Sequence, residues 1–228
     1  VRKVNQYDKV LKNLKKYYDC SPNNLVIKYI LTDENSSFDE VEKFVKDMKK
    51  YGLSKSNFLI SSNYWNEKLT FEQGMLIIYF QYLLSDRGAA TSVLDEHVRP
   101  RISKIAKEIL NDNKIIEKLP QNVKKVIERV KAKKDNAKEI IVWGIGEYAH
   151  LLLDNSVTFS DSKVKFFVDS SPYKQGKTFR NSKVLKPENI TSSNLPILIA
   201  SSFWYHEILT QIKTLGVKEN RVLSGSFI

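Results

Sequence analysis

Two glycines and an alanine behind an apolar run form the pattern in this chain with the clearest chemical meaning. Gly144, Gly146 and Ala149 follow the run Glu139–Trp143 in the spacing Gly-x-Gly-x-x-Ala. Glycines let a ligand approach the backbone closely, and the first turn of the helix that follows carries a partial positive charge. The pattern therefore predicts a nucleotide or sugar-nucleotide site at Gly144, Gly146 and Glu147.

A carboxylate and a hydroxyl follow two further apolar runs and would face the same site. Asp169 follows the run Val164–Val168, and a carboxylate about 20 residues beyond such glycines accepts a ribose hydroxyl in dinucleotide-binding folds. Ser201 follows the run Leu195–Ala200, and the carboxyl ends of parallel strands meet in one crevice. This set predicts NAD or another nucleotide as the cofactor. For Ser201 we favour the alternative role of capping the helix that follows it.

The elements that would position this site belong to the last of three predicted regions. Residues 136–228 combine the turn with three main strands and two helices, which predicts a small Rossmann-like domain. Residues 1–90 alternate helix and strand, which is typical of parallel α/β structure. Residues 91–134 have helical periodicity and no good strand, so we expect a helical linker over residues 91–135. The predicted fold class is α/β.

Two strands and two helix starts can be predicted within residues 1–90. The run Leu25–Leu31 is continuous and β-prone, as expected of a strand covered on both faces, and Asn57–Ser61 is a second, shorter strand. Lys28 interrupts the first run, where a buried cation needs a partner or a place at the strand's end. Two pairs have the spacing of a capping box: Ser37 with Glu40, and Thr70 with Gln73.

Composition narrows the class of protein and its partners. The 228 residues carry a net charge of +11, and residues 101–138 hold 12 basic and 5 acidic residues. Because no aromatic residues alternate with these charges, we interpret them as a solvated helical surface and expect no nucleic-acid partner. We also expect no membrane span, since no apolar run approaches the roughly 20 residues that a span requires. The single cysteine fits a reducing, cytoplasmic setting. With Cys20 as its single cysteine, the chain should hold no metal by itself.

The first 90 residues resemble the later part of a radical S-adenosylmethionine domain. The resemblance is carried by four stretches of sequence: Tyr7–Leu14, Val26–Leu31, Asn35 and Phe38–Phe44. It implies βα units of a partial, barrel-like sheet, with Lys28 and Asn35 near bound S-adenosylmethionine. The family's C-x-x-x-C-x-x-C motif is missing, so an iron–sulfur cluster would need an upstream segment. Either the chain is the C-terminal portion of a longer enzyme or the resemblance is architectural only, and the first residue, Val1, favours the longer enzyme.

The last 90 residues resemble small Rossmann-like modules attached to sugar- or methyl-transfer enzymes. The resemblance is carried by four further stretches: Val142–Glu147, Phe167–Pro172, Lys174–Thr178 and Val184–Glu188. The resemblance does not supply a reaction, because such modules often have no established activity.

The preferred hypothesis is a radical-enzyme fragment whose Rossmann-like module binds a nucleotide or sugar-nucleotide. The main alternative is a non-catalytic module that binds a ligand or docks a partner. A self-contained NAD-dependent oxidoreductase is the last alternative, because no Tyr/Lys or His/Asp catalytic arrangement is visible. No catalytic residue is predicted, and His150 and His206 are interpreted as ordinary helical histidines.

Overall fold

Two mainly parallel β-sheets with their connecting helices build the chain, so the predicted α/β class is confirmed. The computed structural model describes residues 6–62, 69–85, 90–93, 99–136, 139–156, 159–201 and 204–223. Val1 lies outside these ranges. No helix within them is both long enough and apolar enough to cross a membrane.

The N-terminal sheet has three parallel strands in chain order, β1-β2-β3. Its elements alternate along the chain: α1 (Tyr7–Cys20), β1 (Val26–Leu31), α2 (Phe38–Lys50), β2 (Asn57–Ser62), α3 (Phe71–Ser85) and β3 (Ala90–Val93). Both predicted helix starts are confirmed. The Ser37 hydroxyl accepts a hydrogen bond from the Glu40 amide, and Thr70 and Gln73 exchange two such bonds. These side chains satisfy amides that have no partner inside a helix.

Helices α2 and α3 pack on the same face of this sheet. A cluster of edge-to-face aromatic rings joins them to β1 and β2: Tyr29, Phe44, Phe58 and Phe80. The opposite face of β1 is open, with Lys28 exposed and Ile30 46% exposed. The expectation that this strand is covered on both faces is therefore wrong. Lys28 needs no buried partner, because its face of the sheet meets solvent.

Strand β3 is a correction to the prediction that residues 91–134 contain no strand. Ala90–Val93 pairs in parallel with β2, with Thr91 opposite Phe58 and Val93 opposite Ile60. The segment is four residues long, too short for a period-2 pattern to emerge from its sequence. Pairing with a long neighbouring strand forms it instead.

Three helices follow the N-terminal sheet along the chain, and the first and third of them pack against α3. They are α4 (Arg99–Asn111), α5 (Asn113–Glu117) and α6 (Gln121–Asn136). Ile102, Ile105 and Val123 are almost fully buried in the main core, whereas Lys104 and Lys107 remain exposed. The basic segment therefore has a solvated face, as interpreted, but its apolar face is part of the core. The limits of the predicted linker stay a prediction.

The C-terminal sheet has six strands in the order β6-β7-β5-β4-β8-β9. Its elements are β4 (Ile140–Trp143), α7 (Glu147–Asn155), β5 (Val164–Val168), β6 (Thr178–Phe179), β7 (Ser182–Leu185), β8 (Ile197–Ile199), α8 (Tyr205–Thr214) and β9 (Val222–Leu223). All pairs are parallel except the β6–β7 hairpin. The first strand, β4, lies between β5 and β8, so the chain reverses its direction of travel across the sheet at β4. Open α/β sheets bind their ligands at this kind of switch point.

Helix α8 also contacts the N-terminal half of the chain. The His206 ring lies edge-on to the Tyr18 ring of α1, with centroids 6.4 Å apart. Glu219, just after α8, pairs with Lys55 at 3.5 Å and with Lys213 at 2.9 Å. The N-terminal and C-terminal halves are therefore joined by an aromatic contact and a small ion network.

We expect acid to weaken this contact through His206. Burial lowers the pKa of His206 below its ordinary value of 6.5, and Lys55 and Lys213 lower it further, although a hydrogen bond to the Lys55 backbone opposes them. The unfolded chain therefore gains the proton first as pH falls through 6.5, and the free energy of unfolding decreases. Urea unfolding between pH 8 and pH 5 should show this decrease. The free energy of unfolding should fall less between pH 8 and pH 5 in His206→Gln. An equal fall in this variant would contradict the assignment of the effect to His206.

A second prediction concerns Gln81, which lies in α3 with none of its surface exposed. Neither of its amide atoms has a hydrogen-bond partner within the described part of the chain. An unpaired buried polar group costs about 1–3 kcal/mol, so Gln81→Met should raise the free energy of unfolding by roughly that amount. Urea unfolding measures the change. Gln73→Met on the same helix is the control, and it should lower stability because Gln73 caps the helix.

Candidate functional site

A crevice of about 460 Å³ lies at the carboxyl ends of β4, β5 and β8. The glycine turn forms one wall, the loop after β5 a second, and one side of α8 a third. Gly144, Gly146, Glu147, Asp169 and Ser201 all line it. The structure thus brings together the predicted site residues of the C-terminal region.

The neighbouring backbone fixes the conformation of Gly144. Its φ is +104°, a conformation that L side chains rarely adopt, and its amide donates to the Val168 carbonyl at 2.8 Å. A Cβ atom at this position would lie 2.9 Å from the backbone oxygen of Ala200. The close approach of the turn to the end of β8 therefore requires glycine here.

Gly146 has a different role. It precedes α7 with a φ of −83°, and a Cβ atom added there would meet nothing within 4 Å. Gly146 is the cap residue and has no side chain, so no side-chain hydrogen bond from it caps the helix start that the structure describes. The protein therefore has no packing reason for glycine at 146, and the space above it belongs to the crevice.

Asp169 is only 8% exposed, and its carboxylate binds other groups of the protein. Its Oδ2 atom accepts hydrogen bonds from the Ile145 amide at 3.2 Å and from Lys174 Nζ at 3.1 Å. Its Oδ1 atom accepts from the Ser171 amide at 2.9 Å. The carboxylate predicted to bind a ribose hydroxyl thus also fastens the glycine turn to the loop after β5.

Lys174 and Trp204 are crevice residues that sequence reasoning missed as site residues. Lys174 lines the crevice and is paired with Asp169, and Trp204 stands at the rim with 62% of its surface exposed. Lys174 lies in Lys174–Thr178, one of the stretches that resemble Rossmann-like modules. That resemblance was the signal that could have identified it. Trp204 lies between a strand and a helix, where no periodic pattern marks it.

The charges that line the crevice are mixed. Glu147 and Glu207 add two carboxylates to Asp169, and among the described lining residues Lys174 supplies the positive charge. Tyr148 lies beside them, half-buried, and burial raises the pKa of its phenol well above the ordinary value although Arg99 opposes the shift. The crevice therefore offers more hydrogen-bond acceptors than cations to a ligand.

Ser201 has a structural role in the turn before α8, but it is not the helix cap that we favoured, because the cap residue is Trp204 and no side-chain hydrogen bond caps it. The Ser201 hydroxyl accepts a hydrogen bond from the Trp204 amide at 3.2 Å and so shapes the chain just before α8. Nearby, the Ser170 hydroxyl donates to Gln211 Oε1 at 2.8 Å and joins the loop after β5 to α8. These two bonds fix the position of α8 relative to the sheet edge.

Lys28 and Asn35 lie outside this crevice. The Asn35 side chain closes the turn after β1, since its Oδ1 atom accepts from the Thr32 amide at 2.7 Å and its Nδ2 atom donates to the Ile30 carbonyl at 3.0 Å. Lys28 lies in the middle of β1 on its open face. Asn35 therefore has a local structural role, and Lys28 is accessible.

Comparison with known proteins gives one partial match. No curated protein and no solved structure matches the chain at a significant level. A family model described as C2185-like, N-terminal, matches residues 136–223, which hold the whole C-terminal sheet and its crevice. This part of the chain is therefore similar to the C2185-like N-terminal family.

Proposed function

We propose that the C-terminal sheet and its helices form a Rossmann-like module that binds a nucleotide or sugar-nucleotide in the crevice. The observation that carries the proposal is the open space above Gly146 at the uncapped start of α7. A helix start favours groups that accept hydrogen bonds and carry negative charge, and phosphate is the common example. The position of the crevice, at the switch point of the sheet, supports the same class of ligand.

The other crevice residues fit the parts of such a ligand. Lys174 lines the crevice, where its ammonium can pair with a phosphate group as well as with Asp169. Glu147 and Glu207 can accept hydrogen bonds from ribose hydroxyls. The exposed ring of Trp204 offers a surface on which a base can stack, an interaction worth roughly 1–3 kcal/mol.

Calorimetry of the full chain with NAD, nucleotide sugars and S-adenosylmethionine tests the proposal. We expect one of these ligands to bind, Gly146→Val to abolish binding by filling the space, and Trp204→Ala to weaken it roughly tenfold or more. Tyr173→Ala is the matched control, because Tyr173 is 85% exposed and does not line the crevice. Binding by none of the ligands would overturn the proposal and favour a module that only docks a partner.

A second candidate function concerns the N-terminal sheet, which we propose to be the later part of a radical S-adenosylmethionine domain. Parallel strands in chain order with α2 and α3 on one face support this assignment, since barrel-like sheets have that arrangement. Lys28, accessible on the open face, is the residue we assign to S-adenosylmethionine. The single Cys20 does not fit an iron–sulfur cluster. Calorimetry with S-adenosylmethionine tests the assignment, and binding that survives Lys28→Met would remove Lys28 from it.

A further inference from the structure

A second cavity, of about 600 Å³, adjoins the crevice on the side of α8. The two cavities share Ser170 and Gln211, whose side chains are hydrogen-bonded to each other at 2.8 Å. That single contact marks the border between them. A ligand long enough to cross it could replace the bond with bonds of its own to the same hydroxyl and amide.

Helix α8 forms a continuous wall along both cavities. Glu207 faces the crevice, Gln211 lies at the border, and Thr214 faces the second cavity. From Glu207 to Thr214 the helix advances by about 10 Å, at 1.5 Å per residue. A ligand that occupies both cavities must therefore be elongated and must lie along this helix.

The side chains of the second cavity suit a group rich in hydroxyls and without charge. Thr210 and Thr214 have already donated their hydroxyl protons to backbone carbonyls of α8, at 2.9 and 3.0 Å, so each oxygen keeps acceptor capacity. The Gln175 Nε2 atom donates to the backbone carbonyl of Asp169 at 3.0 Å. The side-chain oxygen of Gln175, Oε1, keeps its acceptor capacity. Lys186 and Glu188 contribute opposite charges to the lining. Sugar hydroxyls, which donate and accept, match this set.

We propose that the second cavity is the sugar subsite of the module, so that its ligand is a nucleoside-diphosphate sugar that runs from the glycine turn past Ser170 and Gln211. This inference rests on the proposed function of the crevice. The nucleotide part occupies the crevice beside Gly146 and Trp204. The hydroxyls of the sugar bind the Thr210, Thr214 and Gln175 oxygens.

Calorimetry of the full chain with ADP, UDP, GDP and dTDP, each beside its hexose ester, tests the inference. We expect at least one ester to bind ten times or more tighter than its parent diphosphate. Thr214→Phe should fill the second cavity and remove this difference while leaving the affinity for the diphosphate unchanged. Thr191→Phe is the matched control, because Thr191 is also exposed and does not line either cavity.

The outcomes separate the two proposals. A diphosphate that binds as tightly as its ester overturns the sugar subsite and leaves the nucleotide site standing. An equal loss for both ligands in Thr214→Phe also overturns the subsite, since the cavity would then have no separate role. If neither diphosphates nor esters bind, this inference fails, and the proposed function fails with it only where NAD and S-adenosylmethionine do not bind either.

Discussion

Gly144→Ala should lower the free energy of unfolding by roughly 2–5 kcal/mol, the sum of two effects. Alanine at a φ of +104° is strained by the conformation alone. Its Cβ atom would also lie 2.9 Å from the Ala200 backbone oxygen, and backbone at the end of a buried strand cannot move aside cheaply. Urea unfolding followed by circular dichroism measures the change.

Gly146→Ala is the matched comparison, since it makes the same change two residues away. Its φ of −83° suits alanine and no atom lies within 4 Å of the new Cβ, so stability should change by less than about 0.5 kcal/mol. The two substitutions should therefore separate the glycine that the fold requires from the glycine that we assign to the proposed ligand site. Equal stability of the two variants would contradict the geometry of the turn.

Asp169→Ala is the second large effect, with an expected loss of about 2–4 kcal/mol from the free energy of unfolding. Removing the carboxylate leaves the amides of Ile145 and Ser171 and the Lys174 ammonium without their shared acceptor. Partly buried donors without a partner are costly, and three lose theirs together. Thermal and urea unfolding of the variant measure the loss.

Two milder variants test which contacts of Asp169 account for this loss of stability. Asp169→Asn keeps one acceptor oxygen, so it should cost clearly less than Asp169→Ala. Lys174→Met removes only the ion pair, which lies partly in solvent, and should cost at most about 1 kcal/mol. If Lys174→Met is as harmful as Asp169→Ala, the ion pair and not the two backbone amides holds the loop.

Local sequence patterns predicted the helices and strands whose structure depends on residues close together in the chain. The run that became β4 is buried along its whole length, and the glycines that follow it open α7 as expected. The capping boxes at Ser37 and Thr70 could also be predicted, because each depends on contacts between residues three positions apart. In each of these cases the signal and the contact lie in the same short stretch of chain.

The remaining features depend on contacts between distant parts of the chain. Strand β3 exists because β2 pairs with it, and Lys28 is exposed because α2 and α3 both lie on the other face. The place of Asp169 could be predicted, but not that the loop after β5 folds back and supplies Lys174 as its partner. Trp204 became a crevice residue only through the placement of α8 across the end of the sheet.

The central place of β4 has a consequence for hydrogen exchange. Its backbone pairs with β5 on one side and β8 on the other, and its side chains are at most 1% exposed. Amides in such a strand exchange with deuterium only when the sheet opens, so their rates report the free energy of that opening. A ligand that binds only the closed sheet, at the turn after β4, raises the free energy of that opening by an amount that grows with the ligand's concentration relative to its Kd. The protection of β4 is therefore a measure of crevice occupancy that requires no knowledge of the reaction.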